Sequence, residues 1–125
     1  MSNAINWFEI PAVNLDRAVK FYGTMLDAEL PLAENDYGKM AFLPYDQKKG
    51  VGGCLVSGNG HKPSAEGSMV YLNGGKDLAG PLSRVVKAGG KVIVPKTKVS
   101  DEVGYMAIFI DTEGNKVALH SPPSV

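Results

Sequence analysis

The stretch 5-INWFEIPAVNLDRAVKFY-22 decides the fold. Residues 4–10 alternate: Asn6, Phe8 and Ile10 point one way, Ile5, Trp7 and Glu9 the other, which is the period of a strand. Pro11 ends that strand. Asn14 or Asp16 can cap a helix. Leu15, Ala18, Val19, Tyr22 and Leu26 then recur at helical spacing, Phe21 widens the stripe, and Arg17 and Lys20 fall on the solvent side. A strand therefore runs straight into an amphipathic helix, and it carries a lone carboxylate, Glu9, beside Trp7.

The same events recur downstream. Glu29–Ala33, Lys39–Tyr45 and Val51–Ser57 read as strands separated by turn residues, among them Tyr37 and Asn59. The polar segment 58-GNGHKPSAEG-67 reads as a flexible link. A strand over Ser68–Leu72 and a turn at Asn73-Gly74-Gly75 follow. Leu78, Leu82, Val85 and Val86 then form a second helical stripe, with Pro81 in its first turn and Gly89-Gly90 as its stop. Three strands close the chain: Lys91–Val94 or a little beyond, Tyr105–Asp111 and Lys116–Ser121, the last two joined by 111-DTEGN-115. The order is βαβββ twice, the mark of an internal duplication. The expected fold is a single α+β domain over 1–125. Its two βαβββ units, about 1–58 and about 68–121 with a linker about 58–67, lie side by side as a half-barrel cup with the helices outside.

Composition excludes several classes of function. Thirteen basic residues balance thirteen acidic ones, and no basic stripe exists, so nucleic acid is not an expected partner. Cys54 is the single cysteine, which rules out an intrachain disulfide and CxxC sites. No apolar run is long enough to span a membrane. The start, MSNAINWFEIP, lacks a basic region followed by an apolar one, so no signal peptide is expected and the chain reads as cytoplasmic.

The βαβββ pair, with "VNLDRAVKFY" in the first unit and "DTEGNKVALH" at the end, resembles the vicinal oxygen chelate superfamily, which includes glyoxalase I, bleomycin-resistance proteins and extradiol dioxygenases. The resemblance covers essentially the whole chain. It implies a cup, often a homodimer, and a metal site built from four strand positions. Carried over residue by residue, those positions fall on Trp7, Cys54, Ser68 and Ala118. Only Cys54 among them is a good ligand, so no metal and no cofactor are expected. The residues agree independently: the two histidines, His61 and His120, form no HxH, HxxxH or HExxH spacing. Asp27 is a further departure, standing where the family often carries Gly after the helix.

Glu9 shares a strand face with Trp7 and reads either as a pocket acid or as a rim charge. His120 lies two residues after Ala118, on the same face, and reads as an acid–base group or a strand-end histidine. These two are the catalytic candidates. Trp7, Cys54, Ser68, Tyr71 and Tyr105 are the ligand-binding candidates. Cys54 reads as a small buried hydrophobe or as a nucleophile lacking a visible base. Trp7 offers a stacking surface or a plug. Gly52 and Gly53 permit a bulge or leave room for a ligand. The expected function is binding of a small organic molecule without a metal, with lyase or isomerase chemistry or non-catalytic sequestration by a dimer as the alternatives.

Overall fold

The computed structural model describes residues 3–36, 38–58 and 60–123. Tyr37 and Asn59, each placed in an expected turn, lie outside the described residues. The first unit comprises β1 (Trp7–Pro11), α1 (Leu15–Leu26), β2 (Leu32–Asn35), β3 (Gly38–Phe42) and β4 (Gly52–Ser57). The second comprises β5 (Tyr71–Asn73), α2 (Ala79–Ser83), β6 (Lys91–Ser100), β7 (Gly104–Ile110) and β8 (Lys116–Ser121). Each unit forms a four-stranded sheet, in the orders β1-β4-β3-β2 and β5-β8-β7-β6. In both, the first strand pairs in parallel with the last, and the remaining pairs are antiparallel. The duplicated plan read from the sequence is therefore the observed topology. Among the described residues no helix is long and apolar enough to cross a membrane.

Local chemistry explains α1. The Asn14 side chain accepts from the Arg17 N–H, so Asn14 is the N-cap. Ala18, Phe21, Tyr22 and Met25 are buried along one face. They pack on Ile10, Ala41 and Leu55 of the first sheet and on Phe109 of the second, within one hydrophobic cluster. The Phe21 and Phe109 ring centroids are 5.8 Å apart. The helix ends at Asp27, whose φ of 53° and ψ of 54° lie in the left-handed region. A side chain there costs free energy that glycine avoids. Asp27→Gly is therefore expected to raise stability by about 1 kcal/mol, checked by urea unfolding midpoints.

The second unit and the link before it differ from the sequence expectation in four places. The helical stripe 78–86 yields only α2, followed by turns through Gly89. Val85 is buried, but Val86 is exposed, so the stripe does not continue. The strand expected at Ser68 begins at Tyr71. β6 runs to Ser100, well past Val94, with register shifts along its length. It is an edge strand, which is where Pro95 can be tolerated. The expected flexible link is fastened instead: the Ser64 N–H donates to Asn115 Oδ1 at 3.1 Å, and the Lys116 N–H reaches the Ser64 carbonyl at 3.4 Å.

A buried polar lock joins the two units, and it is made by the two sequence motifs. The Tyr22 hydroxyl donates to Asp111 Oδ2 at 2.6 Å. Glu113 accepts from the Val13 and Asn14 N–H groups at 2.9 and 2.7 Å. Arg17 donates to the same carboxylate through Nε at 2.6 Å and through its terminal nitrogen at 3.0 Å. Asn115 Nδ2 donates to the Pro11 carbonyl at 2.6 Å. The hairpin loop 111-DTEGN-115 is thus the clasp on the strand-to-helix turn of the other unit. Arg17, placed on the solvent side from its spacing, keeps about half its surface exposed while its guanidinium holds the clasp.

Candidate functional site

Each sheet has one face turned to the core cluster and one open face. On the first sheet, pairing of Glu9 with Cys54 and of Cys54 with Phe42 sets Trp7, Glu9, Cys54 and Phe42 on the open side. That side is covered by rings. Trp7 meets Phe42 at 6.1 Å and Tyr45 at 5.9 Å, both edge-to-face. The double glycine of β4 exists for ring packing rather than for a bulge. A Cβ at Gly52 would clash with the Tyr45 ring, and one at Gly53 with the Phe8 ring.

Beneath these rings Cys54 is fully buried. Its Sγ lies 3.9 Å from Glu9 Oε2. Burial pushes the thiol up to about 11, the Glu9 charge adds to the shift, and the contact with Trp7 partly opposes it. Such a shift disfavours the thiolate, the form a nucleophile needs. Glu9 itself is exposed at the edge of this face.

The open face of the second sheet is different. Asn73 pairs with His120, His120 with Met106, and Met106 with Thr97, so the four side chains form a row across β5, β8, β7 and β6. Above this row lies a cavity of about 1040 Å³, lined also by Tyr71, Lys76, Lys98, Val99 and Val103. His120 Nε2 is 2.7 Å from the Val103 carbonyl. A carbonyl oxygen only accepts, so Nε2 carries the proton and the neutral ring keeps its lone pair on Nδ1.

The sequence candidates are thus divided. Tyr71 and His120 meet in the large cavity. Trp7 and Glu9 belong to the other sheet and do not line it. Ser68 lies ahead of β5 and lines a small recess of about 140 Å³ with Glu9, Lys62 and Lys116. Tyr105 also falls outside the large cavity. Its ring lies under Lys96 Nζ, 4.6 Å from the centroid, and it packs against the core cluster. Its neighbour Met106 takes the cavity position, because antiparallel pairing with His120 sets the parity of β7. Asn73, Lys76, Thr97, Lys98 and Met106 were not singled out from the sequence. Asn73 and Lys76 sit in a stretch whose glycines signal only a turn.

The metal-site positions fit no divalent ion. Trp7 and Ala118 offer no donor, Ser68 lies ahead of the strand, and Cys54 is a buried thiol with no second donor at the other three positions. A hard cation needs several oxygen or nitrogen ligands. Among the described residues no group of three or more His, Cys, Asp and Glu side chains could hold a metal ion.

Solved structures share this fold at low identity. A glyoxalase/bleomycin resistance protein from Albidiferax ferrireducens superposes with a TM-score of 0.75 at 16% identity, over 97% of this chain and 100% of that one. The trypanothione-dependent glyoxalase I of Leishmania major gives 0.66 at 21% identity, over 96% and 87%. An antibiotic-binding protein from Streptomyces gives 0.63 at 20% identity, over 98% of each. A search of curated proteins finds no match. The model of one protein family matches residues 4–119. That match spans both units and both motifs, and the chain belongs to the Glyoxalase/Bleomycin resistance protein/Dioxygenase superfamily.

Proposed function

We propose that this protein binds a small organic molecule on the open face of β5–β8 without using a metal ion. The observation that carries the reading is the cavity over the Asn73–His120–Met106–Thr97 row, large enough for a drug-sized molecule and walled by Tyr71, Val99 and Val103. The residues at the family's metal positions support the metal-free half of the reading. The antibiotic-binding neighbour from Streptomyces has the same fold, so the scaffold is suited to this use. A titration with the fluorescent apolar probe phenylnaphthylamine tests the proposal. Met106→Trp puts a larger side chain into the cavity and should weaken binding at least about tenfold. Unchanged binding in that variant would contradict the assignment.

Catalysis is a second reading, favoured by His120. Its Nδ1 lone pair, fixed by the Val103 carbonyl, suits a base that removes a proton next to a carbonyl group. Exposed Trp7 and Tyr71 on the two open faces support a homodimer. Closing the first sheet of one chain over the second sheet of its partner would bring Glu9 toward His120. In this reading His120→Ala abolishes turnover of any substrate found, and Glu9→Gln lowers it.

A further inference from the structure

The charges around the large cavity are one-sided. Lys76 and Lys98 are in its lining, and among the described residues no Asp or Glu lines it. Of the acids close to the lining in sequence, Asp77 and Asp101 are ion-paired and Glu102 is exposed. Asp77 accepts from Lys96 Nζ at 2.8 Å, and the hydrogen bond from Lys96 holds its carboxyl below the ordinary range. Asp101 is ion-paired with Lys98, which partly neutralises that ammonium. Among the described residues Lys76 has no ion pair or side-chain hydrogen bond. The cavity on the first sheet has the opposite balance, with Asp16 and Glu34 against Lys39. The whole chain is neutral, so the cationic lining is a local feature.

The polar groups match this bias. Asn73 Oδ1 accepts from the Gly75 N–H at 2.9 Å, which leaves the Nδ2 hydrogens as the group available to a ligand. The rest of the wall is apolar: Tyr71, Val99, Val103, Met106 and Pro122. We propose that the ligand is an organic anion, with an apolar ring or chain in the cavity and one carboxylate or sulfonate group held by Lys76 with help from Lys98 and Asn73. A partly enclosed apolar wall strengthens such a pairing by lowering the local dielectric. This proposal rests on the cavity being the binding site and adds the chemical class of what enters it.

The test compares two probes with the same rings, anilinonaphthalene sulfonate and uncharged phenylnaphthylamine, titrated into the full chain. The sulfonate should bind about tenfold tighter or more. Lys76→Gln should erase most of that difference and leave phenylnaphthylamine unchanged. Lys98→Gln, whose charge is already shared with Asp101, should erase less. Lys76 and Lys98 are both exposed, so neither variant threatens the fold. Equal affinities for the two probes, or a difference that survives Lys76→Gln, would overturn the anion class while leaving the binding site standing. Binding of neither probe, or binding indifferent to Met106→Trp, would overturn the site and the anion proposal with it.

Discussion

Glu113→Ala is expected to destabilise the protein by about 2–4 kcal/mol in urea or thermal unfolding. The carboxylate has no exposed side-chain surface, and its removal leaves the Val13 and Asn14 N–H groups without their acceptor. Arg17 loses its partner as well, but half-exposed Arg17 can turn to water, so the backbone donors dominate the loss. The effect depends on pH. Burial pushes the Glu113 carboxyl up, but the Arg17 hydrogen bond, the Asn14 N–H and the Thr112 hydroxyl together outweigh it and hold the group below its ordinary value. A carboxyl lowered in the folded state stabilises the fold above its unfolded pKa, and that contribution is lost as pH falls through the folded one. Stability should therefore fall on acidification from about pH 4.5 downward, and Glu113→Gln should flatten that limb. At the other end, burial and the Asp111 charge raise the Tyr22 hydroxyl well above its usual range. Its contribution is complete below about pH 10 and declines above it; Tyr22→Phe removes this alkaline decline.

Gly104→Ala should cost a similar amount, about 2–4 kcal/mol, because strain and overpacking act together. Its φ is +101°, and an added Cβ would sit 2.3 Å from the Ser121 carbonyl oxygen and 2.6 Å from the Pro122 carbonyl carbon. Both obstacles are backbone and cannot turn aside. Gly114 is the control. Its φ is also positive, at +94°, but an added Cβ there meets open space, so Gly114→Ala should cost only about 1 kcal/mol. The Gly104 variant should also weaken probe binding, since Val103, the preceding residue, holds His120. Unfolding curves and phenylnaphthylamine titrations of the two variants check both parts.

How far the sequence could be read depends on the range of the physics. Alternation across Trp7–Ile10, the Asn14 cap and the stripe through Tyr22 are local, and all three match the structure. The duplicated βαβββ order is a sum of local signals and was equally readable. Register is not local. Whether Tyr105 or Met106 faces the cavity depends on which β8 residue stands opposite, and a shift of one residue reverses every side chain. The cavity lining was therefore only half legible: His120 and Tyr71 were found, while Met106, Lys76 and Thr97 were not. Helix α2 was overestimated because Leu78 and Val85 are buried and Leu82 is half-buried at helical spacing whether or not the helix continues. The clasp was hidden for a similar reason. 111-DTEGN-115 carries ordinary turn residues, and only the tertiary fold brings Glu113 to Arg17 across 96 positions.

The central claim is metal-free binding on the β5–β8 face, and one titration addresses it most directly. Phenylnaphthylamine is titrated into protein stripped with a chelator, then into the same protein supplied with zinc, nickel or manganese. The same affinity is expected in all samples, with Met106→Trp weakening it in each. Binding that is absent from stripped protein and restored by a divalent metal would contradict it.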